Sequence, residues 1–204
     1  MVIKTKKELR LSIMIDNMMN RGSFKRNFFL RLIEIVRPDY IMSFLRCMRK
    51  LSYYKYKHNP IWIYYHIKYH RLGLKLGFSI GMDVFGYGLV LPHYGTIVVG
   101  PKNRIGNYAV LHVSSLITSS ERTIGDNLFV SAGAKITSAA TLGNNITIAA
   151  NSVLTKSVSD NNLLLVGMPA VVKAERDPWF ENNEPFESRI KQCEEIRKMF
   201  FPET

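Results

Sequence analysis

The sequence is poor in cysteine: only Cys47 and Cys193 occur in 204 residues. They lie far apart and share no CxxC spacing, so free thiols are expected rather than a disulfide framework or a thiolate metal site. Long apolar runs are also missing. No stretch approaches the ~18 consecutive apolar residues that a bilayer span requires. No apolar run follows a basic stretch at the start, so no secretory signal is expected, and a cytoplasmic location is. Acidic groups are scarce in the first third. Residues 1–75 hold 17 Lys/Arg against 4 Asp/Glu, whereas the remaining 129 residues hold 11 against 12. The net charge of +12 therefore comes entirely from the first third. Such a segment suits an anionic membrane, an anionic substrate or nucleic acid, or else forms a solvated helical face. No nucleic-acid motif accompanies it, so nucleic acid is not an expected partner. Peripheral contact with an anionic membrane through residues 1–75, at the inner membrane face, is the partner this charge suggests.

With 47% hydrophobic and 22% charged residues, the chain has a globular composition. Its length allows one domain with a helical extension. Helical spacing dominates residues 5–75. Phe28, Phe29, Leu32, Ile33 and Val36 recur at helical intervals and stop at Pro38. A second segment runs from Asp39 to about Lys57 with Ile41, Phe44, Leu45, Met48 and Leu51, and Asn59-Pro60 breaks it. A third runs from Pro60 to about Leu74, rich in aromatics (Trp62, Tyr64, Tyr65, Tyr69), and is closed by Gly73 and Gly77. The aromatics suit core packing, and also sugar binding or a membrane interface. His66 and His70 share a face of this segment at i, i+4, without an HExxH motif or a third ligand, and are expected in the aromatic packing.

From Phe85 the pattern changes. Apolar residues recur every six positions: Phe85, Leu91, Ile97, then Ile105, Leu111, Ile117, then Ile124, Val130, Ile136, Leu142, Ile148 and Leu154. The spacing places a two-residue insertion before Ile105 and a one-residue insertion before Ile124. Neither a helix nor an alternating strand has this period; it marks a parallel β-helix. Each hexad supplies a short strand and a turn, and three hexads close one triangular coil. Gly106, Gly125 and Gly143 follow their aliphatics where the chain bends. Asn107, Asn127, Asn144 and Asn145 suit the turns. Ala109, Ala134, Ala140 and Ser152 sit four residues after an aliphatic, where the prism leaves little space. The expected architecture is thus mainly β. It comprises a basic helical region (1–78), a β-helix domain (79–172) and a tail (173–204) with an amphipathic helix from Phe186 to Phe200.

The repeat resembles the [LIV]-[GAED]-x-x-[STAV]-x pattern of the hexapeptide-repeat acyltransferases. The stretch Gly86–Gly100, containing Leu-Pro-His93-Tyr-Gly95, is similar to the His segment of the serine acetyltransferase branch. Val130-Ser-Ala-Gly-Ala-Lys-Ile136, Ile148-Ala-Ala-Asn-Ser-Val153 and Gly167-Met-Pro-Ala170 are similar to that branch's later coils and ending. The resemblance covers about residues 80–172. It implies left-handed coils, although parallel crossovers are otherwise overwhelmingly right-handed. It also implies a homotrimer with each active site in a groove between neighbours, and acetyl-CoA as acyl-donor co-substrate with no metal. Three departures stand out. The Asp found fifteen positions before the family's catalytic His is replaced by Phe78. The loop at Ser119–Arg122 is short and has no second His. The N-terminal helical domain is reduced to about 75 residues. This form resembles the sugar O-acetyltransferases of capsule, O-antigen and exopolysaccharide synthesis, and implies a sugar or oligosaccharide acceptor.

Acyl transfer from a thioester to an alcohol needs a base, a donor for the oxyanion and two substrates held together. His93 is the candidate base because imidazole exchanges protons near neutrality. His112, one coil below and one register earlier, is the rival, able to share a proton with His93 or hold the acceptor. Asp83, the nearest upstream carboxylate, is a candidate to orient the His93 ring despite its different register; failing it, a backbone carbonyl fixes the tautomer. His93, Val113, Ala132 and Ala150 each follow their aliphatic by two residues, which places them on one face of successive coils. An extended pantetheine arm needs a narrow groove with a floor of small side chains, and Ala132, Gly133, Ala150 and Asn151 offer it. The resemblance places CoA at these Ala positions; Gly167 and Pro169 of the ending are further candidates, and Lys156 or Lys173 is a candidate to meet its phosphates, although surface lysines are common. Two other readings stay open: a serine or amino-sugar acetyltransferase, and a non-catalytic β-helix scaffold; a γ-type carbonic anhydrase is discounted, because it needs three His ligands and the repeat offers only His93 and His112.

Overall fold

The computed structural model describes residues 1–24, 33, 36–118, 121–137 and 141–202. Phe28, Phe29 and Leu32 of the first expected helix, Ser119 of the short loop and Ala140 lie outside the described residues. Ile33 and Val36 are exposed.

Helix α1 (Lys6–Arg21) begins with a reciprocal cap. Thr5 Oγ1 accepts from Glu8 N at 3.1 Å and the Glu8 carboxylate accepts from Thr5 N at 2.9 Å. Helix α2 (Tyr40–Tyr56) is capped by Asp39, which accepts from Met42 N and pairs with Arg21. Helix α3 (Ile61–Leu76) follows Pro60 and ends at Gly77, whose φ of +77° closes the helix in the left-handed region. Helix α4 (Glu184–Phe200) comes last.

Between α3 and α4 the chain winds a left-handed parallel β-helix of three faces. The first face stacks β1 (Phe78–Ile80), β2 (Ile97–Val99), β5 (Ser115–Ile117), β8 (Lys135–Ile136) and β10 (Val153–Leu154). The second pairs β3 (Asn103–Ile105) with β6 (Arg122–Ile124), extended by bridges at Phe85, Leu142 and Val158. The third stacks β4 (Val110–Leu111), β7 (Phe129–Val130), β9 (Ile146–Ile148) and β11 (Leu163–Gly167). There the winding stops, because β12 (Ala170–Glu175) turns back antiparallel on β11. All twelve periodic apolar residues point inward and are buried, so hydrophobic burial along the axis drives the winding.

The structure corrects the position of one insertion. Ile97 pairs with Ser115, and it is Val99 that stacks on Ile117. The two extra residues therefore lie between Leu91 and Val99, in the turn that carries His93, rather than before Ile105.

The corner between the second and third faces is held by two polar ladders. In one, Asn127 Nδ2 donates to Asn145 Oδ1 at 2.7 Å and Asn145 Nδ2 donates to Asn162 Oδ1 at 2.6 Å. In the other, Asp126, Asn144 and Asn161 side chains each accept from the backbone N–H of the coil above. Asn127, Asn145 and Asn162 all have positive φ, which Asn tolerates better than most residues.

The helices clamp the first coil. Arg49 of α2 and Asp16 of α1 form a buried ion pair at 2.8 Å. Arg49 also donates to the carbonyls of Phe85 and Gly86, and Gly88 N donates to Asp16. Helix α4 packs Ile190 and Cys193 against Leu11, Ile15 and Met18 of α1 and Val110 of the third face.

Candidate active site

His93 sits at the corner where the third face of the first coil passes to the first face of the second. One coil lower, three residues (His112, Val113, Ser114) make this passage; here five do, Pro92 to Thr96. The longer turn lifts His93 and Tyr94 into solvent. It is nevertheless anchored at both ends. Asn20, at the end of α1, accepts from Leu91 N and donates to Leu89 O. Gly95 N donates to Leu76 O at 2.9 Å and Ile97 N to Gly77 O at 3.1 Å, which seats the loop on the C-terminus of α3. Gly95 has φ +139°, and a Cβ there would meet Val113 Cγ1 at 3.2 Å. The exposed His93 side chain thus rests on a fixed backbone, a condition that a positioned base would need.

Below His93 the corner is lined by small residues. Gly133 N donates to Val113 O and Asn151 N donates to Ala132 O, so Val113, Ala132/Gly133 and Ala150/Asn151 stack coil on coil. They lie in the turns of this corner rather than on a flat face. Ala132, Ala150 and Asn151 are exposed. At the foot, Gly167 N donates to Ser152 Oγ and the Met168–Pro169 turn carries the chain into β12. With coil spacing of ~4.8 Å, Ala132 lies about 10 Å and Ala150 about 14 Å below His93.

His112 is half-buried at the start of this corner, directly after β4. Its ring lies 5.1 Å from that of Phe129, which in turn meets Trp179 at 6.1 Å. Burial, and secondarily the nearby His93 imidazole, hold the His112 pKa below the usual histidine value. His112 is therefore a neutral ring at pH 7, able both to donate and to accept. The aromatic wall of Phe129, Trp179 and Phe186 beside it was not foreseen from the sequence. The signal available was Phe129 at an outward-facing position, where a polar residue suits an open β-helix face.

Two expected site residues are elsewhere. Asp83 occupies the corner between the first and second faces, where its carboxylate accepts from Ser52 and its carbonyl from the Met1 amino group. It is not the group that orients His93. Lys156 also lies at a first-to-second corner, in the last coil, and Lys173 is exposed on β12. Phe78, at the position of the missing Asp, is buried and meets Phe44 edge-on at 5.3 Å. His66 and His70 are exposed, and His66 lies edge-on to Trp62. Both cysteines are free and buried; burial pushes Cys47 up to about 11 and Cys193 up to about 12, so neither is a nucleophile near neutrality. Among the described residues no group of three His, Cys, Asp or Glu side chains is placed to hold a metal.

No family model matches this sequence, and no curated protein matches it. Solved structures do. The soybean serine acetyltransferase apoenzyme is similar with a TM-score of 0.63 at 19% identity, over 81% of this chain and 69% of that one. The serine acetyltransferase of Neisseria gonorrhoeae gives 0.61 at 18% identity, over 87% and 69%. That of Brucella abortus strain S19, solved in complex with coenzyme A, gives 0.61 at 21% identity, over 84% and 68%. At these identities the likeness establishes the fold.

Proposed function

We propose that this protein is an acyl-CoA-dependent O-acyltransferase that moves an acetyl group from acetyl-CoA to a sugar hydroxyl, with His93 as general base. One observation carries the reading. A solvent-facing histidine stands on an anchored two-residue insertion at the head of a corner whose lower coils are floored by Ala132 and Ala150 and end at Gly167-Met-Pro-Ala170. That corner suits an extended pantetheine arm, whose thioester would come up beside the imidazole. The coenzyme A complex of a protein with this fold supports the donor.

In this reading the acceptor hydroxyl gives its proton to His93 as its oxygen attacks the thioester carbonyl. The tetrahedral intermediate then collapses, the C–S bond breaks, and His93 returns the proton to the departing thiolate. Nothing covalent forms on the protein when both substrates are bound together. In this reading His112, half-buried beside the aromatic wall, holds the acceptor. Three chains form a homotrimer with each groove between neighbours, and the basic first third keeps the enzyme near anionic precursors of surface polysaccharide.

Serine is the second acceptor reading, favoured by the serine acetyltransferase neighbours. Against it stand the buried Phe78, at the position where the serine branch carries an Asp, and Asp83, which lies at another corner bonded to Ser52.

Thiol detection of CoA release, with nucleotide sugars, oligosaccharides and serine as acceptors, tests the proposal. Release should depend on a sugar acceptor and fall about 10²- to 10⁴-fold in His93→Ala. Release that survives His93→Ala removes His93 from the chemistry. Neither release nor acetyl-CoA binding would leave a β-helix scaffold.

A further inference from the structure

We propose that the outward face of α3 lies on an anionic lipid bilayer, with Ile63, Ile67 and Leu74 inserted at the interface. The inference narrows the anionic-surface reading of the basic first third to one helix face, and it does not rest on the chemistry at His93.

Helix α3 has two apolar faces. The inner one is accounted for: Tyr69 stacks on Phe44 at 4.7 Å, Tyr65 stacks on Tyr54 at 5.3 Å, and Leu72, Gly73 and Leu76 face the first coil. The outer one is not. Ile63, Ile67 and Leu74 are 50%, 47% and 72% exposed. At 100° per residue they fall within about 40° of one another on the helix, so they form one stripe. Tyr64, 55% exposed, borders it. A core-facing helix has no use for a second stripe of aliphatics on its solvent side.

The charge around this stripe has one sign. Between Asp39 and Asp83 the chain contains no Asp or Glu and eight Lys/Arg. Lys68, Arg71 and Lys75 lie along one side of the stripe, about 40–100° further around the helix, and none of them is in an ion pair among the described residues. The Lys68 amine lies 5.8 Å from the Tyr64 ring, and that of Lys75 lies 3.6 Å from the Tyr40 ring.

These features together select the occupant. A second copy of the same face would bring like charges together with no acidic group to meet them. Nucleic acid or a soluble polyanion would engage the cations and leave the aliphatics in water. An anionic bilayer takes both: headgroup phosphates for Lys68, Arg71 and Lys75, and the acyl boundary for the stripe. Among the described residues no helix is long and apolar enough to cross a membrane, so α3 would lie on the surface. The C-terminus of α3 holds the His93 loop through Leu76 O, so the bilayer would be next to the candidate active site.

Flotation of the full chain with phosphatidylcholine vesicles, with and without phosphatidylglycerol, tests this. The protein should float only with phosphatidylglycerol. Ile67→Asp/Leu74→Asp and Lys68→Glu/Arg71→Glu/Lys75→Glu should each weaken that binding by about tenfold or more. All five positions are exposed, and an unchanged melting temperature shows that the variants fold. Absence of binding to anionic vesicles overturns the proposal, and so does binding indifferent to the apolar pair, which would be simple adsorption of a basic protein. Self-association abolished by the apolar pair, without vesicle binding, would assign the face to a second copy instead. A His93→Ala protein should float like the wild type, which keeps this result separate from the catalytic one.

Discussion

His112 is the residue whose environment makes the clearest solution prediction. Its pKa is held below the ordinary histidine value of 6.5, first by burial and then by His93. Between the lowered value and 6.5 the unfolded chain therefore binds more protons than the folded one, and stability rises with pH across that window. As pH falls from about 6.5 the native state loses stability until the folded ring titrates. His112→Gln removes this contribution. Its melting temperature should decline less than that of the wild type between pH 7 and pH 5, while at pH 8 the variant should be no more stable. Equal acid-side slopes would show that His112 is not the group responsible. At this scale the sequence was misleading where only sequence distance was available. Asp83 precedes His93 by ten residues, which is about half a coil and carries the chain past a corner. Proximity along a solenoid therefore does not place two side chains together; only equivalent positions in successive coils meet. The ladder at Asn127, Asn145 and Asn162 was partly readable for that reason, as a turn preference repeated at coil spacing.

The element that decides the site is the join between α3 and the His93 turn. Gly77 has φ +77°, and a Cβ on it would lie 3.0 Å from the C and O atoms of Gly95. Gly77→Ala therefore combines left-handed strain of about 1–2 kcal/mol with pressure on the backbone two residues from His93. Gly22 caps α1 with a similar φ of +69°, but a Cβ there would meet only the end of the Arg189 side chain, at 3.1 Å, and no backbone. Gly22→Ala should thus lose comparable stability and keep its activity. Gly77→Ala should also lose kcat/KM, by about ten- to a hundredfold, because displacement of a catalytic group by a fraction of an ångström is enough. Urea denaturation and steady-state kinetics on both variants separate the two effects; equal activity in both would mean that the helix end does not position His93. The helices were legible from caps and breakers: expected bounds of Asp39 to Lys57 and Pro60 to Leu74 compare with Tyr40–Tyr56 and Ile61–Leu76. The insertion was misplaced for a physical reason. Ile97 and Val99 both point inward on a strand of period two, so an aliphatic at either position satisfies the hexad, and only the pairing of Val99 with Ile117 distinguishes them. The fold-back of β12 was also missed, since its exposed strand carries no repeat.

On the scale of the whole molecule, the helices and the solenoid are joined by apolar packing and by polar links, among them a buried ion pair that acts as a strut. Arg49 and Asp16 are almost fully enclosed, and between them they satisfy Phe85 O, Gly86 O and Gly88 N of the first coil. Asp16→Ala strands a guanidinium in the interior and leaves Gly88 N without its acceptor. Removing one member of a buried pair costs about 3–5 kcal/mol, a large part of the roughly 5–15 kcal/mol that holds a domain folded. The double change Asp16→Leu/Arg49→Met removes both charges at similar volume, so it should recover part of that loss. Recovery should stay incomplete, because the first-coil carbonyls and Gly88 N lose their partners as well, each such group costing about 1–3 kcal/mol. Chemical denaturation of the wild type, the single variant and the double variant measures the ordering directly. A double variant as stable as the wild type would mean that water satisfies the first coil without the strut. A double variant less stable than Asp16→Ala would mean that the Arg49 bonds to the carbonyls, rather than the ion pair, attach α2 to the β-helix. The same strut lies in the coil that leads into the His93 turn, so its loss should loosen the candidate active site before the lower coils, where the ladders continue to hold the corner between the second and third faces.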